Sequence, residues 1–195
     1  MSLFEVEIKF QLHCLADFER QLRQLSDVPF GEQVAEADIF YQHPCRDFAQ
    51  TDECLRLRSR LLPYGTAEYS LTYKGPKLDS TTKTRREVEI PITMPELVEN
   101  MLAALGFQEF ACVQKTRRRL TLAINNRPVD IVFDTLPALP ETRRHFVEIE
   151  TLAAEQDLEE CRVLVLDIAQ RLGLTEPIRD SYLKLVQHAK SLSTA

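Results

Sequence analysis

Leu3-Phe4-Glu5-Val6-Glu7-Ile8-Lys9-Phe10-Gln11-Leu12 alternates residue by residue between apolar and polar, and its reading decides the fold. Strand side chains switch faces at every step, so Phe4, Val6, Ile8 and Phe10 share one side and Glu5, Glu7 and Lys9 the other. The stretch is predicted to be a strand with one apolar face and one face carrying both signs of charge.

The same two-residue period returns along the chain. Leu55, Leu57 and Leu61 alternate with Arg56, Arg58 and Arg60. Residues 67–74 form a strand with Ser70, Thr72 and Lys74 on one side, closed by Gly75-Pro76. Arg85, Glu87 and Glu89 oppose Arg86, Val88 and Ile90. Lys115, Arg117 and Arg119 follow within a strand over about 108–123, Asp130 and Asp134 within 127–135, and Glu148 and Glu150 within 145–151. Seven strands therefore carry charge opposite an apolar face, and residues 34–42 read as an eighth strand. Residues 43–52 and 77–84 have loop composition.

Helical spacing appears between the strands. Leu15, Phe18, Leu22 and Leu25 form one stripe. Thr93 and Glu96 read as a capping box with Pro95 early in the helix, Leu97, Val98, Met101, Leu102 and Leu105 as its stripe, and Gly106 as its stop. A long helix is predicted over about 155–172, ending before Gly173, and another from near Asp180. Short connections between amphipathic strands favour antiparallel pairing. The absence of βαβ alternation and of a Gly-rich phosphate loop excludes a Rossmann or P-loop fold. The expected class is α+β: an eight-stranded antiparallel closed β-barrel with helices packed outside, one domain over residues 1–195.

Any one of these strands could simply wet its charged face. The helices argue otherwise, because their apolar stripes need an apolar surface to cover. If they cover the outside of a closed sheet, the charges turn inward. A charged interior is costly unless its members are paired or liganded, and a polar barrel interior implies a solvated or ligand-filled tunnel. A metal with a polyphosphate satisfies both signs. Carboxylate oxygens hold Mg²⁺ or Mn²⁺, and Arg and Lys meet phosphate oxygens through charge-assisted hydrogen bonds.

The 195-residue chain has a formal net charge of -6, which argues against nucleic acid as a partner. No signal-like or membrane-spanning apolar run is evident, so a cytoplasmic protein without membrane contact is expected. The five cysteines and four histidines are scattered, with no zinc-like spacing, and read as structural or bystander residues.

Glu5-Val6-Glu7-Ile8-Lys9 resembles the ExExK signature of the CYTH superfamily, the triphosphate tunnel metalloenzymes. Leu55-Arg56-Leu57-Arg58, Thr72-Tyr73-Lys74-Gly75-Pro76, Arg86-Glu87-Val88-Glu89, Lys115-Thr116-Arg117 and Phe146-Val147-Glu148-Ile149-Glu150 follow in the family's order. Ser181-Tyr182-Leu183-Lys184-Leu185 resembles its C-terminal element. The resemblance implies that Glu5, Glu7, Asp134, Glu148 and Glu150 hold Mg²⁺ or Mn²⁺. It implies that Lys9, Arg56, Arg58, Lys74, Lys115 and Arg117 bind the triphosphate, and that Glu87 and Glu89 are catalytic carboxylates positioning metal or water. Arg60, Arg85 and Arg119 would serve as rim or salt-bridge residues. The implied substrate is ATP, thiamine triphosphate or tripolyphosphate. The implied activity is that of a class IV adenylate cyclase, making cyclic AMP and pyrophosphate, with a triphosphate hydrolase as the alternative and a non-catalytic polyphosphate-binding module as a third reading. Members of the family are monomers or homodimers, and nothing in this sequence chooses between them.

Overall fold

The computed structural model describes residues 3–78 and 82–193. Eight strands close into an antiparallel barrel: β1 (Phe4–Gln11), β2 (Val34–Gln42), β3 (Cys54–Leu61), β4 (Ala67–Lys74), β5 (Arg85–Ile92), β6 (Gln108–Ile124), β7 (Arg127–Thr135) and β8 (His145–Ala153). Around the barrel they run β1-β5-β4-β3-β2-β6-β7-β8 and return to β1. Five helices lie between or after them: α1 (Leu15–Leu25), the single turn α2 (Phe48–Thr51), α3 (Pro95–Ala104), α4 (Leu158–Arg171) and α5 (Tyr182–Ser193).

The alternation fixes which side faces out. Val6, Ile8, Val129, Ile131, Val147 and Ile149 point outward, where α1 and α4 cover them with Phe18, Leu22, Cys161, Val165 and Ile168. Burying each such side chain is worth about 1.5–3 kcal/mol, so the main core is a layer between barrel and helices. A second cluster places Leu102 and Val98 of α3 over Leu55, Leu57 and Leu71. A third joins inward-facing Phe40, Val113 and Phe146 to Tyr182 and Val186 of α5, where the barrel interior turns apolar. Among the described residues no helix is long and apolar enough to cross a membrane.

Local signals account for most boundaries. Asn125 (φ 52°) and Asn126 (φ 61°) form the tight β6–β7 turn, in the left-handed backbone that such hairpins need. Gly106 ends α3 at φ +87°, where an added Cβ would also press on the Pro44 side chain at 3.3 Å. Four expectations need correction. The α3 N-cap is Met94, without a side-chain bond, so the Thr93–Glu96 capping box does not form. The tract 43–52 contains the turn α2, which Asp47 caps by accepting from the Ala49 N–H at 2.9 Å. The helix expected over 155–172 begins as a short 3₁₀ turn at Glu155–Asp157 before α4. The charged face is not confined to seven strands, because β2 adds Glu36 and Asp38. Of the loop expected at 77–84, residues 79–81 lie outside the described residues.

Candidate functional site

Register brings the charged faces together. Across β1 and β8, Glu7 pairs with Glu150 and Lys9 with Glu148; across β5 and β4, Glu87 pairs with Lys74 and Glu89 with Thr72. Asp38 lies opposite Arg58, Glu36 opposite Lys115, and Arg117 opposite Asp134. Every strand lends at least one inward charge to a single cavity of about 840 Å³, from Glu5, Asp38, Arg56 and Lys74 to Glu87, Lys115, Asp130 and Glu148. Of the residues singled out from sequence, Glu5, Glu7, Lys9, Arg56, Arg58, Lys74, Glu87, Glu89, Lys115, Arg117, Glu148 and Glu150 all line it.

Ion pairs organise this interior. Asp38 accepts from Arg58 at 2.6 and 2.9 Å and from Lys115 at 3.1 Å, with Arg56 3.6 Å away. Burial works to raise the Asp38 pKa, but Lys115 and then Arg58 and Arg56 outweigh it and hold the carboxyl well below the usual range. Glu36 lies behind the same cations, 2.9 Å from Lys115 and 3.3 Å from Arg58. Arg117 donates to both oxygens of Asp134, at 2.8 and 2.5 Å, and to Glu148 at 2.7 Å. Lys9 contacts Glu148 at 3.0 Å while its ammonium stands 3.6 Å from the centroid of the Tyr182 ring, a cation–π geometry. Lys74 bridges Glu5 at 2.6 Å and Glu87 at 2.5 Å.

Two of the candidate residues are placed differently from the others. Asp134 is fully buried, does not line the cavity and has both oxygens committed to Arg117. It forms a two-point ion pair with that arginine. Glu89 sits at the rim with a half-exposed side chain, accepting from Thr72 at 2.8 Å. Arg60 and Arg119 occupy salt bridges, to Glu36 and Glu68 and to Asp130 and Glu150. The cysteines are free, and among the described residues no three His, Cys, Asp or Glu side chains form a ready metal cage.

Glu36, Asp38 and Lys83 are missed by sequence reasoning. Ala35-Glu36-Ala37-Asp38 carried the available signal, acid at period two on a strand. Lys83 had none, because its neighbours read as loop.

The carboxylates nevertheless fit a hard divalent cation. Glu5 and Glu87 both close on the single Lys74 ammonium, so two buried carboxylates share one cation. Burial and then the Glu5 charge, against the pull of Lys74, push Glu87 up to about 7. Burial, reinforced by Glu5 and Glu148 against the pull of Arg117, pushes Glu150 up to about 8. This is an excess of negative charge at one end of a tunnel whose cations surround the rest. Mg²⁺ and Mn²⁺ sites characteristically use one or two carboxylates and complete their shell with water and phosphate oxygens, so no full protein cage is needed.

Known proteins share this fold. The CYTH domain model matches residues 3–182. A Methanocaldococcus jannaschii protein provisionally named an adenylate cyclase is 30% identical over 187 residues, covering 94% of this chain and 98% of its own. The structure of the PH1819 protein of Pyrococcus horikoshii superposes with a TM-score of 0.80 at 35% identity, over 94% of this chain and 98% of that one. A Vibrio parahaemolyticus structure, also provisionally named an adenylate cyclase, gives 0.75 at 26% identity over 97% and 100%. With a closed eight-stranded barrel and a match along nearly its whole length, this chain belongs to the CYTH domain family.

Proposed function

We propose that this protein is a divalent-metal-dependent enzyme that acts on a triphosphate inside the barrel, with adenylate cyclase chemistry on ATP as the leading reaction. The observation that carries this reading is the convergence of inward cations and carboxylates from all eight strands on one cavity of about 840 Å³. Such a volume is ordinary for a site that encloses a whole small organic ligand. Phe40, Phe48, Leu55, Phe110 and Leu183 share the lining with the charges, giving an organic group apolar surface that inorganic tripolyphosphate would not use. The names of the Methanocaldococcus jannaschii and Vibrio parahaemolyticus relatives support the same direction.

In this reading Arg56, Arg58, Lys115 and Arg117 hold the phosphate oxygens in place, and Asp38, Glu36 and Asp134 hold those cations in position behind them. Glu5, Glu87 and Glu150 would hold the metal, with Glu7 and Glu148 beside them. The bound metal supplies charge neutralisation and orientation of phosphate oxygens. Lys9 and Lys74, released from Glu148 and from the Glu5–Glu87 pair, meet the remaining phosphate charge. Phosphoryl chemistry asks for little more than such positioning and neutralisation. The tunnel then discriminates between reactions by which oxygen it sets in line: the ribose 3′-oxygen on the α-phosphate for cyclisation, or water on a terminal phosphate for hydrolysis.

One product assay separates these outcomes. With Mg²⁺ or Mn²⁺ and ATP, cyclic AMP with pyrophosphate is expected. Orthophosphate release from ATP, thiamine triphosphate or tripolyphosphate would instead assign the tunnel to a hydrolase. Thermal stabilisation by tripolyphosphate without turnover of any of the three would leave a binding module.

A further inference from the structure

Lys83 reaches the cavity from outside the regular strands. β1 and β5 pair at Phe4↔Arg86 and Glu5↔Arg85, and Lys83 donates its backbone N–H to the Glu7 carbonyl at 2.8 Å. That contact continues the same antiparallel register, so Lys83 stands opposite Glu7 and shares its inward face. Flanking bonds fix the segment: Leu78 N–H donates to the Thr84 carbonyl at 2.8 Å, and the Thr82 and Thr84 hydroxyls lie 2.6 Å apart. The Lys83 side chain is 4% exposed, lines the cavity and contacts Glu7 Oε1 at 2.8 Å.

An ammonium has three donors, and burying it deeply with a single carboxylate partner is unfavourable unless the remaining donors are served. Lys9 and Glu148, on the same inward face of the barrel, also act on its charge. Lys83 therefore occupies the stretch of tunnel between the two ends of the β1 motif, beside the residues read as meeting the phosphates. We propose that Lys83 is an additional triphosphate-contacting residue, brought into the tunnel by the segment that completes the β1–β5 seam. The proposal rests on the triphosphate reading above and extends its cation set beyond the barrel strands.

Calorimetric titration with tripolyphosphate in Mg²⁺ tests it. Lys83→Gln keeps a donor for Glu7 but removes the charge, and Lys83→Arg keeps both. A charge-assisted hydrogen bond is worth roughly 1.5–3 kcal/mol, so Lys83→Gln is expected to bind about 10–100-fold more weakly. Lys83→Arg should stay within about 5-fold of the parent protein, under the same arithmetic. A residue that only partnered Glu7 would change the unliganded unfolding midpoint and leave the dissociation constant unmoved. Equal affinity of the Gln variant and the parent protein overturns the proposal alone; failure of the parent protein to bind tripolyphosphate overturns the triphosphate reading with it. The unmutated protein gives an answer that does not depend on folding of a variant. Acylation of Lys83 by acetic anhydride, read by mass spectrometry, should slow when Mg²⁺ and tripolyphosphate are present, and an unchanged rate counts against the contact.

Discussion

Arg117→Met is expected to destabilise the protein by about 3–5 kcal/mol, measured by urea unfolding, and to abolish triphosphate turnover. Arg117 donates to both Asp134 oxygens, and Asp134 is fully buried. Removing the guanidinium strands that carboxylate and takes a donor from Glu148, which retains Lys9. A second substitution separates stability from function. Replacing Asp134 with leucine in the same chain removes the stranded charge, and apolar replacement of a whole buried pair is often neutral or stabilising. Arg117→Met with Asp134→Leu should therefore recover most of the lost stability and none of the activity. Recovery of both would show Arg117 to be a structural counter-ion with no part in the chemistry.

Glu5→Gln is expected to lower turnover by at least ~100-fold, the upper end of losses seen even for residues one shell removed from a metal. The fold should persist. Gln is isosteric and hydrogen-bonding, and Lys74 keeps Glu87 as its partner at 2.5 Å. Burial works to raise the Glu5 pKa, but Lys74 prevails and holds its carboxyl well below the usual range, so a full negative charge is lost on substitution. Two readings accompany the activity: Mn²⁺ binding followed by paramagnetic resonance, which should weaken, and the thermal midpoint, which should stay within a few degrees. Unchanged Mn²⁺ affinity would remove Glu5 from the cation site.

The barrel was legible because its determinants are local and repeated. Two-residue alternation gave each strand its faces, and the apolar stripes of α1, α3 and α4 showed that something apolar lay beneath them. Closure could then be inferred from the cost of exposing both. What escaped depends on distance in sequence. That Arg117 belongs to Asp134, and Asp38 to Arg58 and Lys115, follows from strand register, which alternation alone leaves free. A sequence pattern puts a carboxylate on an inner face without saying whether it meets a ligand or a guanidinium, and Asp134 falls in the second group. Lys83 was hidden for a different reason. Its inward direction comes from an irregular continuation of the β1–β5 seam, within a stretch whose composition reads as loop. The capping box at Thr93 shows the converse: a matching local pattern whose side chain the structure does not use.

Anomalous diffraction from crystals grown with Mn²⁺ and tripolyphosphate tests the central claim most directly. A manganese peak inside the barrel against Glu5 and Glu150, with phosphate density reaching Arg56 and Lys115, is the expected result. Manganese and phosphate bound only on the outer surface, with Lys74 still bridging Glu5 and Glu87 across an unchanged interior, would contradict it.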